Sequence, residues 1–169
     1  MSSDAHRTAE TELLLAYLGS QRRHVLGIVD GLSDADMRRP VLPSGWSPLT
    51  MLSHLTYDDE RFWFGAVIAG DPEVVAGVLD SDGWEVPDDV PVGVVVEAYR
   101  DQARSSDEIL RAADLDEPPA WWPEELFGEW RLDSVREIVL HVLVETAAHA
   151  GHLDAARELI DGRQWMVQG

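Results

Sequence analysis

Apolar residues recur with helical spacing through four long segments of the chain, and this pattern constrains the fold more than any other sequence feature. We predict helices at about residues 5–31, 47–70, 91–113 and 133–161. Ser47 followed by Pro48 is typical of a helix start, and Gly31 and Gly162 are typical of helix ends. The sequence therefore predicts an all-α protein, a four-helix bundle forming a single domain over residues 1–169.

Two connections between the predicted helices lack this periodicity. Residues 71–90 are rich in Asp, Gly, Pro and Val, and residues 114–130 are rich in proline and tryptophan. In the second connection, Trp121 and Trp122 either line a pocket mouth or a dimer contact, or pack against the helix ends.

The predicted fourth helix carries a stripe of polar side chains. His141, Glu145, His149 and His152 follow one another at steps of four, four and three residues. At about 100° per residue they fall within roughly 80° of arc on one face. Burying such groups without partners is costly, and imidazole nitrogen and carboxylate oxygen are ligands of borderline divalent metals. The stripe is therefore either part of a metal site or a set of unrelated polar residues.

A second helix offers a further nitrogen ligand. His54 lies between Leu52 and Leu55 in a largely apolar part of the predicted helix 47–70. Alone, it is either a packed core histidine or a ligand. Together with a Glu-x3-His pair on another helix, it makes a facial site of two imidazoles and one carboxylate, which leaves positions open for water or substrate.

Composition excludes several function classes. The chain has 32 acidic and 13 basic residues, a formal charge of −19, which disfavours binding to nucleic acid or to anionic membrane surfaces. It has no cysteine, so thiolate ligands and a cysteine nucleophile are excluded, and any thiol must come from a small molecule.

The first residues do not resemble a signal peptide, and no apolar run is long enough to span a membrane, so we expect a cytoplasmic protein.

Two blocks of sequence resemble a known superfamily. GLSDADMRRPVLPSGWSPLTMLSHLTYDDERFWF is similar to the first half of DinB-like four-helix proteins, and ETAAHAGHLDAARELIDG is similar to their last helix. Within the superfamily the chain resembles the mini-circle-protein-like branch and mycothiol-dependent maleylpyruvate isomerase. The resemblance covers about residues 10–162.

The resemblance implies a divalent metal, such as zinc, nickel, iron or cobalt, bound by His54, Glu145 and His149. It also implies mycothiol or another small thiol as a cofactor. Many relatives have His where this chain has Glu145, and the isomerase branch is similar in having Glu. His152 then faces the substrate or supports a ligand, and His141 either orients Glu145 or packs.

Two more residues of the second predicted helix are candidates. Asp58 lies four residues after His54, so it either hydrogen-bonds that imidazole or is simply solvated. Arg61 either meets an anionic substrate or forms a structural ion pair.

These observations leave three functions open. The first is a metal-dependent transferase or isomerase, in a homodimer, that activates a small-molecule thiol for attack on a small electrophilic substrate. The second is metal-assisted hydrolysis, with Asp58 or His152 as the base. The third is a non-catalytic binding or stress-associated protein whose metal is structural.

Overall fold

The computed structural model describes residues 3–78 and 82–166, with side chains from residue 8 onward. Its helices are α1 (Ser3–Val29), α2 (Asp34–Met37), α3 (Pro48–His54), the π-helix π1 (Leu55–Ile68), α4 (Pro72–Gly77), α5 (Val92–Ala112), α6 (Glu124–Phe127) and α7 (Val135–Asp161). The described ranges contain no strand, so the all-α prediction is confirmed. In those same ranges, no helix has both the length and the apolar character needed to cross a bilayer.

Local capping chemistry fixes the helix boundaries. At the start of α3, the Ser47 side chain accepts a hydrogen bond from the backbone of Thr50, and the Thr50 side chain accepts one from the backbone of Ser47. Ser134 caps α7 in the same way through one bond. Gly162 ends α7 in the left-handed region at φ +78°, where glycine is favoured.

The second long helical segment changes its hydrogen-bonding pattern along its length. It is an α-helix up to His54 and a π-helix from Leu55 to Ile68. At its end the Ala69 N–H still reaches back five residues, donating to the Phe64 carbonyl at 3.0 Å. Most π-helical stretches are single turns, so a long one changes which side chains share a face over several turns.

The core has two clusters, one at each end of the long helices. The first joins the early part of α1 and α7 to the late part of π1 and α5, as in Leu14, Phe64, Leu110 and Ile138. The second joins the late part of α1 and α7 to α3 and the early part of α5. Helices α1 and α7 therefore run in one direction, and the α3–π1 segment and α5 run in the other.

The two connections contain short helices that the sequence pattern did not indicate, α4 in the first and α6 in the second. The second connection packs onto π1, because the Trp121 N–H donates to the Val67 carbonyl at 3.2 Å. Trp121 and Trp122 both lie partly buried against the first core cluster, and the Trp122 ring centroid is 6.0 Å from that of Trp63.

Candidate metal centre

Three side chains from three helical elements converge near the middle of the molecule. His54 ends α3, Asp59 lies on π1, and His149 lies on α7. One potential ligand atom from each lies within 4.8 Å of the other two, and we call these three residues the ligand cluster. The His54 and His149 rings meet edge to face, with centroids 5.0 Å apart.

The π-helix explains why Asp59 is part of the ligand cluster. Five α-helical residues would carry Asp59 roughly 140° around the axis from His54, away from the same face. In a π-helix the i→i+5 hydrogen bond brings the fifth residue back under the first. Asp59 is accordingly only 4% exposed. Asp59 was not among the predicted site residues. The three consecutive acidic residues inside an otherwise apolar helix could have indicated that one of them is buried at a site.

Two buried polar atoms of the ligand cluster have no hydrogen-bond partner among the described residues, Asp59 Oδ2 and His149 Nδ1. Burial, and then the charge of Glu145, raises the pKa of the Asp59 carboxyl well above its usual range. Burial, and then the neighbouring His54, lowers the pKa of His149 to about 4. The His149 imidazole is therefore neutral near pH 7, which is the form that binds a metal.

Asp58 makes a direct contact with the His54 ring. Its Oδ2 lies 2.8 Å from His54 Nδ1, so this carboxylate accepts a hydrogen bond when that nitrogen is protonated. The bond selects the tautomer whose Nε2 is free to bind a cation. A carboxylate behind a ligand histidine is a common arrangement at metal sites.

Glu145, predicted as a ligand, lies just outside the ligand cluster. Its Oε2 is 3.7 Å from His149 Nε2, and its side chain is 40% exposed. Two atoms bound to one ion at about 2.0–2.2 Å lie roughly 3–3.5 Å apart, so this spacing is close to that of two ligands. His152 is exposed on the next turn, with its ring 5.8 Å from that of His149.

Two other candidates lie apart from the ligand cluster. The His141 ring packs edge-on against Trp63 at 4.8 Å and lies 5.5 Å from Trp130, and burial lowers its pKa. Arg61 is exposed and lines a small surface pocket with Tyr57 and Asp58. No side chain in the described ranges forms an ion pair with Arg61.

A buried ion-pair network lies next to the ligand cluster. Arg22 of α1 makes two hydrogen bonds to Glu60, at 2.6 and 2.7 Å, and a third to Asp107 of α5. Arg22 and Glu60 are almost fully buried. The network ties α1, π1 and α5 together beside Asp59 and satisfies the charge of Glu60 within the protein.

The residues of the centre fit a divalent cation. Two imidazoles, a buried carboxylate and a second carboxylate at the edge are a donor set for zinc, nickel, iron or cobalt. A bound cation would satisfy the buried Asp59 oxygen that lacks a partner. A carboxyl group in this setting is expensive to keep ionised without a cation.

Similarity to known proteins supports the family resemblance seen in the sequence. The family model described as mycothiol-S-transferase matches residues 13–162, a range that contains the whole ligand cluster. No curated protein and no solved structure is significantly similar to the chain. The matched family is DinB-like, which confirms the superfamily that the two sequence blocks resembled. Because the match covers most of the chain, the protein belongs to the mycothiol-S-transferase family.

Proposed function

We propose that the protein is a metal-dependent S-transferase that uses mycothiol, or another low-molecular-weight thiol, as its nucleophile. One observation carries the proposal. In a member of this family, two histidines and a buried aspartate converge, and two of their buried polar atoms have no hydrogen-bond partner among the described residues.

The proposed ligands are His54 through Nε2, His149 through one ring nitrogen, and Asp59 and Glu145 through carboxylate oxygens. The spacing of Glu145 from His149, 3.7 Å, supports including it as a ligand. A bound divalent cation supplies Lewis acidity, which lowers the pKa of a thiol so that thiolate is available at neutral pH.

Other residues of the chain hold the proposed ligands in place or lie where a substrate could bind. Asp58 holds the His54 ring, and Arg22 keeps Glu60 paired beside the cation site. His152 is exposed next to His149 and is placed to contact a substrate. The chain contains no cysteine, so the reacting sulfur must come from the bound thiol.

Metal content tests the ligand assignment. The full-length protein, stripped with chelator and reloaded with zinc or cobalt, should bind about one ion per chain. His54→Ala and Asp59→Asn should each lose most of it, whereas His24→Ala on α1, outside the ligand cluster, should retain it. Unchanged metal content in His54→Ala would remove that residue from the site.

Turnover tests the reaction class. Metal-loaded protein is mixed with mycothiol and chlorodinitrobenzene. A carbon–sulfur bond forms as chloride and the thiol proton leave, and mass spectrometry detects the thioether. Activity that requires both metal and thiol supports the transferase. Cleavage of esters, amides or lactams without thiol would support a hydrolase instead, and inactivity in both assays would support a non-catalytic binding protein.

We also propose that the protein acts in the cytoplasm, where a low-molecular-weight thiol stays reduced, and that it forms a homodimer. Support for the dimer comes from Leu13 and Tyr17 on α1 and Leu140 and Val144 on α7, which are exposed at the same level of the molecule. The ion pair of Glu10 with Arg136 sets this level, because it joins the two parallel helices just before these side chains.

A further inference from the structure

An aromatic side chain from the first connection covers the metal centre. The Trp84 ring stacks on the His54 ring with centroids 4.0 Å apart and an angle of 17° between the planes. It also meets His149 edge to face at 6.3 Å. Trp84 is 38% exposed, so its indole separates the two imidazoles from solvent on one side.

The residue before Trp84 rests on the carboxylate that holds His54. A β-carbon built on Gly83 would overlap Asp58 Oδ2, so no other residue fits there without moving the turn or the carboxylate. Asp58 and Trp84 thus contact the same imidazole, one at its Nδ1 and the other on its face.

The segment that carries Trp84, residues 82–90, is anchored to the rest of the fold. The Trp84 N–H donates to Asp82 Oδ1 at 2.9 Å, which forms a tight turn. Val86 and Val90 pack against the second core cluster, and Arg38 donates a hydrogen bond to the Val90 carbonyl. The indole is therefore held in place by the fold as well as by its contact with His54.

We propose that Trp84 is a positioning residue of the metal centre, which orients the His54 ring and strengthens its binding to a cation. The inference rests on the proposed metal-binding function. A bound cation withdraws electron density from the imidazole, and the electron-rich face of an indole stabilises an electron-poor ring more than a neutral one. Trp84 therefore favours the metal-bound state over the metal-free state, beyond excluding water from one side.

The test is a titration of chelator-stripped full-length protein with Co²⁺ alone, followed by visible absorption. Trp84→Leu should weaken cobalt binding by roughly three- to tenfold and change the absorption bands, because the His54 ring is no longer fixed. Trp84→Phe, which retains a stacking ring, should keep most of the wild-type cobalt affinity and absorption spectrum. Gly83→Ala should also weaken cobalt binding, since the added carbon displaces either the turn that carries Trp84 or the Asp58 carboxylate, and both contact His54. Trp165→Leu is the matched control, because that tryptophan contacts Gly27 and His24 instead.

The outcomes separate this inference from the proposed function. If wild type binds cobalt while Trp84→Leu and Gly83→Ala bind it with unchanged affinity and spectrum, Trp84 does not position His54, although the metal site stands. If wild type binds no cobalt, both the metal site and the role of Trp84 are wrong. A merely structural Trp84 would lower the unfolding temperature of the metal-free protein without changing the affinity or spectrum of the native fraction, which also contradicts the inference.

Discussion

Replacing Asp59 with asparagine should stabilise the metal-free protein and remove most of the stabilisation that metal gives to wild type. The substitution keeps the size of the side chain and removes a carboxyl that is 4% exposed, with one oxygen lacking a partner in the described structure. In the metal-free protein this carboxyl is a cost of folding, because burial raises its pKa well above the usual range. In the proposed metal-bound state the same carboxyl would be a ligand and would stabilise the native protein.

The magnitude follows from proton linkage. The folded pKa is raised, so between the unfolded value, about 3.9, and the folded one the native state binds more protons than the unfolded state. Wild type should then lose up to about 1.4 kcal/mol of stability per pH unit relative to Asp59→Asn as pH rises through that window. For a chain of this length, that is about 3–6 °C per pH unit.

With metal present wild type should regain stability relative to the variant. A cation at a hundred times its dissociation constant stabilises the native state by about 2.7 kcal/mol, or about 5–11 °C. Wild type should gain this shift, and Asp59→Asn, lacking a ligand, should gain little or none of it.

The assay is thermal unfolding followed by circular dichroism between pH 4 and 8, once with chelator and once with excess zinc. Asp101→Asn is the matched control, since that carboxylate is 64% exposed and should change stability by less than about 0.5 kcal/mol. If wild type and Asp59→Asn show parallel pH profiles in chelator, the carboxyl is not buried as described. If zinc stabilises both equally, Asp59 is not a ligand.

Three further results are expected. Arg22→Met leaves Glu60 buried without its partner and should cost about 3–5 kcal/mol in urea unfolding, whereas Arg22→Met with Glu60→Met should recover most of that loss. The folded pKa of His149 is about 4, below its usual 6.5. Metal-free wild type should therefore lose stability relative to His149→Gln as pH falls from about 6.5 to about 4. Equal pH profiles of the two proteins would contradict this. Tyr17→Glu should convert a dimer to a monomer in light scattering, and a wild type that is already monomeric would refute the dimer.

The fold was predictable from the sequence because helix length and helix ends depend on local chemistry. Ser47 and Gly162 act at the ends of α3 and α7 as the sequence indicated. The observed bounds of the long helices lie within about two residues of the predicted ones. Val92, Val94, Val95 and Val96 are β-branched and still helical, since the polar pattern continuing from them is helical.

The candidate site was only partly predictable, and the reasons are physical. The placement of His54 beside His149 followed from residue type and spacing, together with family resemblance. The contact of Trp84 with His54 joins a connection without periodicity to a helix 30 residues away, so no local rule indicates it. Asp59 was missed because a constant α-helical period was assumed for a segment that is π-helical.

The π-helix gives three consecutive carboxylates three different surroundings. Asp58 contacts the His54 ring, and Glu60 is paired with the guanidinium of Arg22. Asp59, between them, is buried with one oxygen unpaired in the described structure, and it lies beside the His54 and His149 imidazoles. Two of the adjacent acids thus have partners supplied by the chain, whereas one oxygen of the third has no partner among the described residues. A divalent cation would satisfy this carboxylate and both histidines together, so Asp59 is the residue that most strongly supports the proposed metal centre.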